Sequence, residues 1–245
     1  MPWQESWHAK LRRRFRKPFN KLFHGRRYFI ARYFGTDFLL QPTGIGTLEI
    51  SANIAEQREL TDFIERCAQL RPDAFLDIGA NIGLYTCTLL KNGSVPRAIL
   101  FEPDRTNRVQ LRANLLINGL LDLAEIHEVA VGDVAGRSRL VPGSIDGGFS
   151  RIVGDGNADA AGYDVEVVRI DDVLALSGQK LAIKIDVEHY ECNVLAGMAR
   201  TLRANHCLVQ IEAFETKDRV IAMMTDAGYD LVADYLPNFV FENRV

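Results

Sequence analysis

Paired cysteines and long apolar runs are both missing from this sequence of 245 residues. The four cysteines lie far apart and form no C-x-x-C pair, whereas zinc sites and disulfide frameworks require closer spacing. The spacing therefore predicts free thiols and a reducing compartment. No apolar run approaches the roughly 18 residues of a membrane-spanning helix, so no segment is predicted to cross a membrane.

The sequence does contain a strong charge asymmetry. Residues 1–33 hold ten Lys or Arg and one acid, a net charge of +9, whereas the remainder carries −12. This basic arm lacks the apolar region of a signal peptide. It is either solvated and packed on the domain, or a surface for anionic lipid, an acidic protein or nucleic acid. The acidic remainder disfavours nucleic acid. We predict a cytoplasmic protein, free or peripheral at the inner face of the membrane.

Apolar strands alternate with segments of helical periodicity over most of the chain. This pattern predicts a parallel sheet covered on both faces, the doubly wound, Rossmann-like α/β fold, and the last two strands, in 229–243, have no helix between them. The predicted organisation is a basic arm with a short hairpin (37–50) over 1–50, then one domain over 51–245. The other predicted strands are 74–80, 97–103, 125–133, 180–188 and 206–214, and the predicted helices are 53–70, 82–93, 104–118, 190–203 and 216–227.

A glycine-containing turn, FLDIGANIGLYT (75–86), joins the first main strand to its helix. Gly79 permits a sharp turn close to a ligand, and Gly83 lets the helix pack on the strand. Glu102 ends the next strand near the spacing at which a carboxylate binds ribose hydroxyls. Asn81 replaces the second glycine of the dinucleotide fingerprint, which disfavours NAD and FAD because pyrophosphate needs a close approach. S-adenosylmethionine or mere packing stays compatible with this turn.

A second cluster of ionisable residues, IKIDVEHYE (183–191), begins as a buried strand. Alternation places Asp186 and Glu188 on one side if the strand continues that far. Two close carboxylates favour a general base or attract a cation. The sequence alone leaves open a base, a metal site with Glu212, and a purely structural role.

Four motifs, LDIGANIGLYT, LFEPD, VAVGD and IKIDVEHYECNVLAG, resemble the FkbM family of S-adenosylmethionine-dependent methyltransferases over residues 55–245. The resemblance implies a class I fold of seven strands, the last antiparallel, and methyl transfer to a hydroxyl of a glycan or secondary metabolite. It also implies a cofactor site. The methionine part would be surrounded by Asp77, Gly79, Asn81 and Gly83. Glu102 would bind the ribose, and Val131 to Asp133 would lie beside the adenine.

The same resemblance frames the catalytic candidates. Asp186 would accept the hydroxyl proton, bind the cofactor amine, or hold a divalent metal with Glu212, although a metal is not favoured because no second acidic pair is aimed at that point. His189 stands where the family usually has glycine, and it is either a solvent-exposed residue or an auxiliary base. Tyr190 is expected at the pocket edge, and Glu212 is expected to contact the acceptor. Ser150 in a Gly-rich loop is an acceptor contact or a surface residue.

Other interpretations also stay open. Asp77 and Glu102 are also compatible with structural roles, as an acid that caps the following turn and as a solvated strand end. The whole protein is alternatively a non-catalytic member that binds only cofactor or partner, or a nucleic-acid methyltransferase.

Overall fold

Strands and helices alternate along the described chain, which comprises residues 28–41, 58–142, 151–153 and 162–243 of a computed structural model. The strands are β1 (Phe29–Tyr33), β2 (Thr36–Leu40), β3 (Ala74–Ile78), β4 (Ala98–Phe101), β5 (Ala124–His127), β6 (Ala130–Val131), β7 (Gly136–Val141), β8 (Arg151–Val153), β9 (Tyr163–Val168), β10 (Lys180–Ile185), β11 (His206–Glu212), β12 (Tyr229–Tyr235) and β13 (Asn238–Asn243). The helices are α1 (Arg58–Leu70), α2 (Leu84–Lys91), α3 (Arg105–Ile117), α4 (Ile170–Val173), α5 (Glu191–Gly197), α6 (Ala199–Ala204) and α7 (Lys217–Asp226), with a short 3-10 helix at Leu121–Leu123.

The main sheet has seven strands in the order β12-β13-β11-β10-β3-β4-β5. The run from β11 through β10, β3 and β4 to β5 is parallel, and β13 lies antiparallel to both β11 and β12. This confirms the predicted Rossmann-like, mostly parallel sheet with a C-terminal antiparallel strand. Every residue of β3 is buried, because elements cover both faces of a parallel sheet.

The two faces of the sheet carry separate apolar clusters, because alternate residues of a strand point to opposite faces. Ile78 and Ile183 belong to one cluster, and Phe75 and Ala182 belong to the other. The alternation assigns Asp77 and Lys184 to the second face, and both are buried. Buried polar groups are costly unless they are paired. Asp77 and Lys184 therefore require partners near the carboxyl ends of β3 and β10.

Two predicted elements are divided. The strand expected at 125–133 splits into β5 of the main sheet and β6 of a second, four-stranded sheet with the order β6-β9-β7-β8. The helix expected at 190–203 is two helices that meet at Met198. The strand expected at 180–188 is shorter than predicted, since β10 ends at Ile185.

A hairpin, β1 and β2, lies against helix α3. Its turn falls at Phe34 and Gly35, and Asn114 Oδ1 accepts a hydrogen bond of 2.7 Å from the Leu39 backbone N–H. The hairpin predicted at 37–50 is thus misplaced at its start, because residues 37–40 belong to β2.

Several predictions lie outside the described residues. They are residues 42–50 of the predicted hairpin, the start of the first helix and most of the basic arm. The division at residue 50 and the membrane or acidic-protein contact of residues 1–33 therefore stay predictions. Within the described part of the chain, no helix is both long and apolar enough to cross a membrane.

Candidate active site

The glycine turn after β3 contains three residues in the left-handed region. Gly79 and Gly83 have φ of 83°, and Asn81 has φ of 51°. A Cβ on Gly79 would lie 1.9 Å from the carbonyl oxygen of Asp186, so the close approach that Gly79 permits is to the protein's own backbone. A Cβ on Gly83 would lie 2.5 Å from Leu111 Cδ1 in α3, which shows that this glycine serves helix–helix packing rather than the predicted helix–strand packing.

Glu102, directly after β4, is buried and fastens the glycine turn. Its Oε2 accepts a hydrogen bond of 2.7 Å from the Asn81 N–H, and its Oε1 accepts one of 2.7 Å from the Asp104 N–H. Burial raises the pKa of Glu102 to about 7, although these backbone hydrogen bonds act in the opposite direction. The carboxylate therefore holds the turn in place and titrates near neutrality.

Asp77, the fourth residue of β3, is bonded to the following helix. Its Oδ2 accepts a hydrogen bond of 2.5 Å from Thr86 Oγ1 in α2. Burial raises the pKa of Asp77 to about 6, while Thr86 and the charge of Lys184 lower it. The residue thus joins strand and helix, whatever it also contributes to a cofactor.

The segment predicted for adenine follows β6. Val131 is buried, and Asn193 Nδ2 donates a hydrogen bond of 2.9 Å to Asp133 Oδ1. Tyr190 lies beside this segment, since a Cβ on Gly132 would be 3.0 Å from Tyr190 Cε1. Burial and the nearby Asp133 raise the pKa of Tyr190, so its hydroxyl keeps its proton.

Asp186 lies at the carboxyl end of β10, next to the glycine turn. Its backbone N–H donates a hydrogen bond of 2.9 Å to the Ile78 carbonyl, and 36% of its side chain is exposed. The chain then leaves the strand, because Glu188 and His189 have φ of 49° and 74°. The alternation argument for Asp186 and Glu188 required the strand to continue that far, so it does not apply, and a shared side for these carboxylates stays a prediction.

Lys184 is a site residue that the sequence prediction missed. It is buried, and its Nζ lies 3.5 Å from Asp186 Oδ2 and 3.9 Å from Glu212 Oε2. Burial lowers its pKa, but the carboxylates of Asp186, Glu212 and Asp77 outweigh burial, so the pKa is raised overall. The signal was present in the sequence, because a lysine in the central strand of a sheet covered on both faces requires a partner.

The glycine turn, Glu102 and Asp186 thus lie together at the carboxyl ends of the central strands. The Methyltransferase FkbM domain family matches residues 77–231 of the chain. The chain belongs to the FkbM methyltransferase family. The match confirms the resemblance inferred from the motifs and makes the protein a methyltransferase.

Two curated relatives cover most of this FkbM-family chain. The 31-O-demethyl-FK506 methyltransferase FkbM of Streptomyces tacrolimicus is 27% identical over 81% of this chain and 90% of its own length. Methyltransferase sdnD of Sordaria araneosa is 26% identical over 76% of this chain and 85% of its own length.

Two solved structures were also compared with this FkbM-family chain. The alignment with FkbM methyltransferase from Methylobacillus flagellatus covers 97% of this chain and 61% of the other chain, at 17% identity and a TM-score of 0.49. The alignment with the Pyrococcus abyssi tRNA (uracil-54, C5)-methyltransferase in complex with S-adenosyl-L-homocysteine covers 89% of this chain and 43% of the other chain, at 14% identity and a TM-score of 0.51. The second likeness supports the fold alone.

His189 occupies a left-handed position, with φ of 74°, where the resemblance to FkbM proteins implies glycine. Its backbone N–H donates a hydrogen bond of 2.8 Å to Glu191 Oε1, and Glu191 Oε2 accepts one of 2.6 Å from Thr216 Oγ1. The imidazole itself is half exposed, with Nδ1 3.9 Å from Glu215 Oε2. The backbone of His189 is thus fixed, and its role as an auxiliary base stays a prediction.

We expect His189→Gly to stabilise the protein. Glycine removes a left-handed strain of about 1–2 kcal/mol, and the greater freedom of the unfolded chain offsets about 0.4–1 kcal/mol of that gain. Urea unfolding should show a net gain of about 0.5–1 kcal/mol. His189→Ala, which removes the imidazole and keeps the strained φ, is the control and should show no gain. Equal stability of the glycine variant and the wild type would contradict this expectation.

The remaining candidates have plain outcomes. Glu212 joins Asp186 around Lys184, as the sequence prediction required for a shared site, and Ser150 lies outside the described residues. Among the residues that the structure describes, no group of three or more His, Cys, Asp or Glu is placed to hold a metal. The four cysteines are buried and unpaired.

Proposed function

We propose that this methyltransferase transfers a methyl group from S-adenosylmethionine to a hydroxyl oxygen of a small-molecule or glycan acceptor. The observation that carries the proposal is the junction at the glycine turn. Gly79 contacts the backbone of Asp186, and Asn81 bonds the carboxylate of Glu102. The glycine turn, Glu102 and the predicted base are therefore neighbours at one edge of the sheet, and doubly wound folds bind ligands at such an edge.

The residues at this edge fit the cofactor. Each oxygen of Glu102 accepts one backbone N–H, and the Asn107 side chain also bonds this carboxylate. Because an ionised carboxylate has about four acceptor sites, Glu102 retains capacity for a ribose hydroxyl. Asp133, oriented by Asn193, is the proposed adenine contact. Because Asn81 stands in place of a glycine, the turn suits a cofactor without a pyrophosphate.

Asp186 is the proposed general base. Bound S-adenosylmethionine supplies an electrophilic methyl group on a sulfonium. The leaving group, S-adenosylhomocysteine, is a neutral thioether and needs no acid. The chain must orient the acceptor hydroxyl and accept its proton. Asp186 combines an accessible carboxylate with a backbone that is hydrogen-bonded to β3, and a positioned base contributes roughly 10²–10⁴-fold to a rate.

The acceptor class is proposed from the relatives. The Streptomyces tacrolimicus relative is, by its name, a methyltransferase of 31-O-demethyl-FK506, an O-demethylated small molecule. We extend only the chemical class, a hydroxyl on a small molecule or glycan, to this chain.

Calorimetry with S-adenosylhomocysteine tests the cofactor proposal. We expect micromolar binding of S-adenosylhomocysteine and no heat with NADH, for which the turn lacks the second glycine. Absence of heat and of any thermal shift with millimolar S-adenosylhomocysteine would reject the proposed function.

Cofactor affinity should fall at acid pH. Ribose hydroxyls bind the ionised form of Glu102, whose pKa burial raises to about 7. Lowering the pH from 8 to 6 should therefore weaken S-adenosylhomocysteine binding roughly tenfold.

The contribution of Glu102 to the free energy of unfolding has the opposite pH dependence. Because its pKa is higher in the folded than in the unfolded chain, this contribution is fully present below the pKa of the unfolded chain and is lost as the pH rises through about 7.

Glu102→Gln separates this effect from other titrations. Calorimetry across pH 6–8 should show weaker binding and a flatter pH profile for this variant. Glu166→Gln, at an exposed position of β9, is the matched control and should keep the wild-type profile. A Glu102→Gln variant with an unchanged pH slope would remove Glu102 from the explanation.

A further inference from the structure

We propose that Lys184 is an internal counter-ion that holds the Asp186 and Glu212 carboxylates together, in the place that a divalent metal ion takes in metal-dependent sites. The inference deepens the proposed function, because the same carboxylates are the proposed contacts of the acceptor. It assigns a positioning role to Lys184 and a metal-independent organisation to this edge of the sheet.

The geometry of the ammonium group is that of a bridging cation. Lys184 Nζ lies 3.5 Å from Asp186 Oδ2, directly after β10, and 3.9 Å from Glu212 Oε2 at the end of the neighbouring β11. It also donates a hydrogen bond of 3.4 Å to Asn238 Oδ1 on β13. Three oxygen atoms thus lie within 3.9 Å of one buried positive charge.

The surrounding amides are oriented for a cation. Gln210 Nε2 donates hydrogen bonds of 3.0 Å to Asn238 Oδ1 and 2.7 Å to the Tyr85 hydroxyl. Reversing the Gln210 amide would place two acceptor oxygens against each other, and reversing Asn238 as well would turn its NH₂ toward the lysine. The observed arrangement keeps Asn238 Oδ1 toward Lys184 even though Gln210 Oε1 has no hydrogen-bond partner among the described residues.

The position of Lys184 also restricts its motion. The Tyr85 ring centroid lies 5.4 Å from Nζ, and the side chain is buried between β3 and β11, in register with Asp77 and Gln210. The charge therefore cannot swing into solvent. Unlike Mg²⁺, which keeps several waters and open ligand positions, this cation offers no coordination site to an acceptor, so the acceptor must be oriented by hydrogen bonds.

Removing the ammonium group should favour binding of another cation. Asp186 and Glu212 would both lose their ion pair with Lys184, and hard divalent ions prefer carboxylate oxygens. We expect titration calorimetry with Mn²⁺ to show no binding below millimolar concentrations for the wild type. Lys184→Met should bind Mn²⁺ at least tenfold more tightly, and Mn²⁺ should raise its lowered Tm.

Two further variants make the result specific. Lys184→Met combined with Glu212→Gln should lose the gained Mn²⁺ affinity, because one carboxylate is gone. Lys180→Met, at the exposed start of the same strand, should behave as the wild type. If circular dichroism shows Lys184→Met to be unfolded, Lys184→Gln, which keeps a polar group beside Asn238, replaces it in the same titrations.

Two outcomes would overturn the inference. One is submillimolar Mn²⁺ binding by the wild type that Glu212→Gln abolishes, since the carboxylates would then already hold a metal. The other is a folded Lys184 variant with wild-type Mn²⁺ affinity. S-adenosylhomocysteine is titrated into the same samples, so a wild type that fails to bind it rejects the proposed function while the Mn²⁺ comparison still decides the role of Lys184.

Discussion

Replacing Gly79 by alanine is expected to weaken S-adenosylhomocysteine binding by about 100-fold, the order of effect that a displacement of about 1 Å produces in a site. The new Cβ would lie 1.9 Å from the Asp186 carbonyl oxygen and 2.9 Å from its carbonyl carbon. Both atoms are backbone, so no flexible side chain can yield. The left-handed φ adds about 1–2 kcal/mol of strain, and overpacking adds about 1–3 kcal/mol.

Gly93→Ala is the matched control for this substitution. Gly93 also has a left-handed φ, of 69°, but nothing lies within 4 Å of its added Cβ. Alanine there should cost about 1 kcal/mol of unfolding free energy and leave binding unchanged. Urea unfolding and calorimetry measure both quantities. Equal losses for the two variants would show that backbone strain alone, and not the contact with Asp186, accounts for the effect of Gly79→Ala.

Asp186→Asn is expected to lower the rate of methyl transfer roughly 10²–10⁴-fold, the usual contribution of a positioned general base. The amide keeps the size of the side chain and an oxygen for Lys184, but it cannot accept the hydroxyl proton. S-adenosylhomocysteine binding should stay within about threefold, since a group needed only in the transition state affects rate rather than ground-state binding.

The measurement uses radiolabelled S-adenosylmethionine and an acceptor found by screening hydroxylated compounds. Asp122→Asn, at an exposed position of the 3-10 helix, is the control and should retain the wild-type rate. An unchanged rate in Asp186→Asn would remove this residue from the role of base. Repeating both assays with a chelator separates a base from a metal ligand.

The sheet could be predicted because its strands carry local signals. Apolar runs such as that of β3 are buried on both faces, and the absence of a helix between the last two strands required an antiparallel neighbour. The division at 125–133 could not be predicted, because Glu128 and Val129 interrupt a run that reads as one strand. The sheet that each half joins depends on its partner strand elsewhere in the sequence. β5 pairs with β4, and β6 pairs with β9.

Candidate site residues could be proposed from the sequence, but their contacts could not. Asp186 and Glu102 were identified from motifs, and the structure places both beside the glycine turn. The end of β10 at Ile185 was missed because alternation continues through Glu188 in the sequence. The contacts of Lys184 with Glu212 and Asn238 join three strands. They could not be predicted, because the sequence of a single strand does not determine which strands lie next to it in the sheet.

The contact between Gly79 and Asp186 also orders the events of folding. The two residues are more than a hundred positions apart, and pairing of β3 with β10 must close that loop before the contact exists. Closure of such long loops has an entropic cost that slows folding. During synthesis, the chain has emerged beyond residue 212 before Asp186, Glu212 and the turn can meet. A nascent chain that stops earlier contains the glycine motif but no pocket, so the ligand can stabilise only the nearly finished protein.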